Sequence, residues 1–255
     1  MLMSTSSLAA LILLFFITSA IGVVTGSNSL ITVPVMFQFG IEPKVAVATN
    51  MFGLTFMAIG ATIPFLKQGA IDKKRVAPLI LITLVGSAIG AVLVGFITGG
   101  ALKIIVSVSM IAVTVFTLLK RNAGVVKTES VSKGTLFFSY ALIFILAIYG
   151  GLYSGGYVTL LTATCVAFLG MTFTEAVAST KLINVFSSFV ASLIFMRQGL
   201  VDYKLGAILA VTMFTGAYLG AKTVTKLNDL WLRRIFLATV IILAVKTIFD
   251  FIYNA

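Results

Sequence analysis

The chain has no histidine and a single cysteine, Cys165. No disulfide can form within it, and a metal or haem site built on imidazole is excluded. Charge is scarce as well: 10% of the residues are Asp, Glu, Lys or Arg, against roughly 25% in an ordinary soluble domain. The seven carboxylates are Glu42, Asp72, Glu129, Glu175, Asp202, Asp229 and Asp250. All fall in loops or at the ends of apolar runs, so no mid-span acid and no histidine is available to relay protons. What fills the chain instead is apolar, 60% of all residues. So few charges cannot cover that much apolar surface in water, which makes lipid the solvent. The net charge of +11 comes from Lys and Arg in short loops between apolar runs. That pattern orients a membrane protein and is no nucleic-acid footprint.

Eight runs are long enough to cross a bilayer, or nearly so: roughly 8–24, 46–66, 76–98, 102–119, 135–150, 176–196, 205–221 and 231–249. Two more, about 30–40 and 157–169, are too short to cross as straight helices. Each short run follows a cluster of small polar residues, Thr25-Gly26-Ser27-Asn28-Ser29 and Ser154-Gly155-Gly156-Tyr157. The first run lacks the basic start of a signal peptide and is expected to be a retained helix.

A shift of 130 residues matches the chain to itself without a gap. Gly26 meets Gly156, Thr32 meets Thr162, Gly40 meets Gly170, and Ala46-Val47-Ala48 meets Ala176-Val177-Ala178. Phe65, Gln68, Gly69 and Asp72 meet Phe195, Gln198, Gly199 and Asp202. About 25 identities fall over roughly 93 positions, where shared composition would give about 10, a strong sign of internal duplication. The expected organisation is a first transmembrane repeat at 1–121, a basic linker at 122–134 and a second repeat at 135–255. Much of the match is scaffold. Gln-Gly-x-x-Asp suits a helix C-cap followed by an N-cap. Gly86/Gly90 and Gly216/Gly220 form Gly-x-x-x-Gly pairs that let helix backbones approach, within one chain or across a homodimer.

The expected fold is therefore an all-α polytopic membrane protein of two homologous repeats, each of four long helices plus one short broken or re-entrant helix. If the short runs re-enter, the halves are parallel; if they cross as part of broken helices, the halves are inverted. Loop charge favours inversion. Lys67, Lys73, Lys74 and Arg75 outnumber Lys103 in the first half, whereas Lys222, Lys226, Arg233 and Arg234 outnumber Arg197 and Lys204 in the second. In that arrangement the 120–134 segment is cytoplasmic and both termini lie outside.

The repeated unit resembles the TauE/SafE family, the sulfite-exporter-like permeases, over nearly the whole chain. The likeness rests on Gly26 through Val33-Pro34, on Gly40 with Ala46-Val47-Ala48-Thr49-Asn50, and on Gln68-Gly69 with Asp72. In the second half it rests on Gly151 with Ser154-Gly155, on Glu175-Ala176-Val177-Ala178-Ser179-Thr180-Lys181 with Asn184, and on Gly199 with Asp202. The family usually carries a glycine run just before the first unit's proline; here those places hold Ser27, Asn28 and Ser29. The resemblance implies a multi-pass protein of the inner cell membrane, without cofactor, that moves sulfite, thiosulfate or an organosulfonate, usually outward.

Such an anion needs donors and positive potential. Broken helices expose N–H groups at their N-termini, where the helix dipole favours negative charge. Thr25, Gly26, Ser27, Asn28 and Ser29 begin one short helix, and Ser154, Gly155 and Gly156 begin the other. A second set follows each short run: Thr49 and Asn50, then Ser179, Thr180, Lys181 and Asn184. Lys181 stands inside a long apolar run, where a cation is a functional candidate; its repeat partner is Met51. Two other classes compete with a transporter. An anion channel or accessory subunit shares every feature above. An intramembrane enzyme would need a pair such as Ser154 and Lys181, and gains nothing from two matched halves.

Overall fold

A computed structural model describes residues 5–26, 28–106, 108, 132–228, 230, 231 and 234. The structure is helical among these residues. Its elements are α1 (Thr5–Thr25), α2 (Ser29–Gln38), α3 (Pro43–Gln68), α4 (Lys73–Phe96), α5 (Lys133–Leu152), α6 (Tyr157–Leu169), α7 (Phe173–Arg197) and α8 (Tyr203–Val224). A further helical stretch covers 99–106. Six of the named helices are long and apolar enough to cross a membrane, and α2 and α6 are the short pair between them. The chain is thus a multi-pass helical membrane protein. The expected spans at 102–119 and 231–249 fall largely outside the described residues, as does the 122–134 linker except for its last three positions.

Helix ends follow the local signals. Gly69, in the left-handed conformation, closes α3, and the Asp72 carboxylate then accepts from the N–H groups of Lys74 and Arg75 to open α4. The repeat partner of Asp72, Asp202, caps α8 by accepting from Leu205 N–H. Thr172 and Glu175 form a reciprocal capping box at the start of α7. Between helices Gln68 donates to the Thr225 carbonyl, and Gln198 to the carbonyls of Ala91 and Val92. The Gln-Gly-x-x-Asp motif therefore ties the two halves together as well as turning the chain.

Lipid offers no hydrophobic drive for helices to associate, so close packing of small residues must do it. A Cβ at Gly86 would lie 2.6 Å from Ala147, and one at Gly90 would strike the Ile148 carbonyl of α5. A Cβ at Gly216 would lie 2.5 Å from the Phe16 carbonyl, and one at Gly220 would strike Ala20 of α1. Both Gly-x-x-x-Gly pairs are used within this chain, α4 on α5 and α8 on α1. Side chains such as Leu13, Leu81, Phe96, Phe137 and Val211 remain exposed on the outside, where lipid tails would meet them.

The same contacts give helix directions. Residue numbers rise together from Phe16/Gly216 to Ala20/Gly220, so α1 and α8 run parallel, as do α4 and α5. Along α3 they rise as those of α7 fall. Thr49 Oγ1 meets the backbone of Asp202 just beyond α7, Thr55 meets Ser192, and Ala61 shares a cavity with Lys181. The helices α3 and α7, equivalent under the 130-residue shift, therefore run antiparallel through the centre of the protein.

Candidate functional site

The two breaks meet. Gly26 ends α1 with φ of 67° and Gly156 begins α6 with φ of 77°, at equivalent places in the repeat. A side chain at either would force an L-residue into the left-handed region. At Gly26 there is no room for one either: its Cβ would lie 2.7 Å from Val158 and 2.9 Å from Thr159 N. The break of the first half thus rests directly on the first turn of α6. In the first turn of α2 the Ile31 and Thr32 N–H groups bond the Asn28 carbonyl, and at the start of α6 the Tyr157 N–H bonds the Ser154 carbonyl.

Hydroxyls stitch the junction. Thr159 Oγ1 donates to the Thr25 carbonyl at 2.6 Å, and Tyr153 Oη to the Ser29 carbonyl at 2.9 Å. Ser29 Oγ and Ser154 Oγ stand 2.7 Å apart. Asn50 Nδ2 donates to Ser29 Oγ at 2.8 Å, while Asn50 Oδ1 accepts from Thr32 at 2.8 Å. The repeat partners of that last pair, Thr162 and Thr180, also bond to each other, at 3.1 Å. With Asn50 donating to it, the Ser29 hydroxyl can donate its own O–H to Ser154 Oγ, which leaves the Ser154 O–H to donate elsewhere.

Beside this junction lies a cavity of about 20 Å³, lined by Gly22, Gly26, Asn28, Ser29, Ser154 and Val158 at the breaks, and by Lys181 and Asn184 of α7. The wall from α3 is apolar: Leu54, Met57, Ala58 and Ala61. Lys181 is only 3% exposed. Its ammonium donates to the Gly22 carbonyl in the last turn of α1 at 2.9 Å, a helix C-terminus that favours positive charge. Among the described residues no carboxylate lines the cavity. Asn28 is nearly as enclosed, and its Oδ1 has no hydrogen-bond partner, while Nδ2 makes long contacts to Ser19 Oγ (3.5 Å) and Met57 Sδ (3.4 Å). A half-turn of this amide would let Ser19 donate to Oδ1 and turn the N–H₂ to the open position. Buried polar atoms are rarely left so.

The structure thus brings together Gly26, Asn28, Ser29, Ser154, Lys181 and Asn184 from the expected set. Thr25 and Asn50 form a second layer that holds Ser29 and the break. Gly155 and Gly156 shape the turn; Gly155 lies against the Tyr153 ring and accepts from Tyr149 Oη. Thr49 is placed elsewhere: its hydroxyl accepts from Asp202 N–H at 3.0 Å and supports the start of α8. Ser179 and Thr180 are buried in α7 outside the cavity lining. Ser27 lies outside the described residues. Sequence reasoning missed Gly22, Tyr153, Thr159 and the α3 wall. Thr159 was findable as the repeat partner of Ser29; the others carry no such signal. Ser154 is bonded to Ser29 and Lys181 to Gly22, so the two do not form a nucleophile–base pair here.

The family model described as Sulfite exporter TauE/SafE matches residues 11–247. The chain belongs to the sulfite exporter TauE/SafE family. Among curated relatives, the probable membrane transporter protein ORF9 of a Sinorhizobium species is 28% identical over 244 residues, covering 95% of this chain and 93% of that protein. A probable membrane transporter protein of Haemophilus influenzae is 25% identical over 243 residues, 95% of each chain. The probable membrane transporter protein YfcA of Escherichia coli K12 is 26% identical over 242 residues, 93% of this chain and 89% of that one. No solved structure matches. Membrane transport is the activity that the TauE/SafE description and these names have in common.

Proposed function

We propose that this TauE/SafE protein exports a small sulfur oxyanion or organosulfonate, such as sulfite, thiosulfate or sulfoacetate, across the inner cell membrane. The observation that carries the reading is Lys181: a buried ammonium with no carboxylate beside it among the described residues, in a cavity where two helix breaks bring Asn28, Ser29 and Ser154 together. An anion supplies the missing countercharge. Lys181, the Asn28 amide, Ser154 and Asn184 are the side chains that bind it, beside the N-terminal ends of α2 and α6, whose dipoles favour negative charge. Catalysis has no part in this reading, and neither a metal nor a cofactor is called for.

The antiparallel course of α3 and α7 supports two inverted repeats, 1–121 and 135–255, joined by a cytoplasmic linker at 122–134. The site then lies near the midplane, and alternating access follows from rocking one half against the other. A cavity of about 20 Å³ admits roughly one water, which is too small for sulfite. The conformation described here is a contracted one that must widen to load. Export needs no coupled ion, since an anion leaving a negative interior gains about 2.3 kcal/mol per charge per 100 mV.

The test is a thermal-stability screen of the purified protein against sulfite, thiosulfate, sulfoacetate and chloride. A true ligand at about 100 times its Kd adds about 2.7 kcal/mol to stability. A rise with a sulfur anion and none with chloride supports the proposal; no rise with any sulfur anion rejects it.

A further inference from the structure

A second cavity, of about 230 Å³, opens where α4, α5 and the end of α6 converge. Lys74 and Arg75 line it from the first turn of α4, Leu79 from one turn further along, and Leu136, Tyr140 and Leu169 from α5 and α6. The parallel helices α4 and α5 both begin here, at Lys73 and Lys133, so the mouth lies at the boundary where spanning segments meet water. Arg75 is held by a 2.8 Å bond from Nη2 to the Leu169 carbonyl. That leaves its other donors, and the exposed Lys74 ammonium, for a further partner. The nearest acid in the sequence, Asp72, spends its carboxylate on the N–H groups of Lys74 and Arg75.

Cations at the helix start, with apolar and aromatic residues further along α4 and α5, make a graded site. A hydrated inorganic anion would use only the cationic end. A phospholipid uses both, with its phosphate at the cations and an acyl chain along Leu79, Leu136 and Tyr140. Under the 130-residue shift Lys74 meets Lys204 and Leu79 meets Leu209, while Arg75 and Tyr140 meet Leu205 and Ala10, so the pairing of two cations with a tyrosine is not repeated in the equivalent positions of the other half.

We propose that this cavity binds one anionic phospholipid through Lys74 and Arg75, on the face of the membrane where α4 and α5 begin. It is separate from the central cavity and shares no residue with it. Juxtamembrane cations contribute enough that losing one weakens anionic-lipid binding about fivefold.

The experiment is native mass spectrometry of the full chain in detergent, titrated with phosphatidylglycerol, phosphatidylethanolamine or inorganic phosphate. Expected is a saturable phosphatidylglycerol adduct, at least about fivefold tighter than phosphatidylethanolamine, undisturbed by millimolar phosphate and weakened about fivefold by Lys74→Gln. Lys74 is exposed at the start of α4, where surface substitutions usually change stability little; Arg75→Lys is the second variant, keeping charge while losing the bidentate fork. Equal binding of the two lipids, or no change in Lys74→Gln together with Arg75→Lys, overturns the proposal. Displacement by inorganic phosphate overturns it too, in favour of a soluble-anion site.

Discussion

Replacing Lys181 by Met removes the one cation among the described residues that line the central cavity and nearly keeps side-chain volume. A monoanion about 4 Å from the ammonium, at an effective dielectric near 20, is attracted by about 4 kcal/mol. Part of that is offset, because the ammonium must loosen its 2.9 Å bond to the Gly22 carbonyl. A net loss of about 1.5–3 kcal/mol, as for hydrogen bonds to charged groups, corresponds to roughly 10- to 150-fold weaker binding. Folding should be little affected. The Gly22 carbonyl keeps its bond from Gly26 N–H at 2.8 Å, so no acceptor is orphaned. The first repeat already carries a buried methionine, Met51, at the equivalent place. The assay is sulfite titration of wild type and Lys181→Met by calorimetry, beside thermal melts of both without ligand. Unchanged affinity with an unchanged melt would refute the role given to this ammonium.

Two further substitutions test the scaffold. Ser29→Ala strips the junction of a hydroxyl that bonds both Asn50 and Ser154; it should cost about 1–3 kcal/mol in detergent unfolding. Ser154→Ala should cost less, because Ser29 still accepts from Asn50, and the reverse order would contradict the network. Gly90→Ala drives a methyl into the Ile148 carbonyl and should lower stability by about 1–3 kcal/mol. Gly100→Ala, with nothing near its Cβ, should not lower it; equal effects of the two on the melting temperature would refute the α4–α5 packing.

The spans and caps were legible because their causes are local. Long apolar runs report α1, α3, α4, α5, α7 and α8, and the shortness of two runs marks α2 and α6. Gly69 and Asp72 were readable as a cap pair because capping acts over three or four residues. The Gly-x-x-x-Gly pairs announced close approach but not the partner: α5 for one pair and α1 for the other depend on how distant segments dock. The site divides along the same line. Asn28 and Lys181 stood out by type alone. Thr49 beside Asn50 looked equivalent to it, yet successive residues on a helix lie about 100° apart. One faces Ser29 and the other the start of α8. The carbonyl of Gly22 was invisible, since every residue has one and only tertiary packing brings this one to Lys181.

The most direct test of the account is efflux of sulfite from proteoliposomes holding the purified protein, with the internal potential set by a potassium gradient. The account predicts saturable efflux that speeds up as the interior becomes more negative and slows in Lys181→Met. Absence of saturable movement of sulfite, thiosulfate and sulfoacetate at every voltage would contradict it.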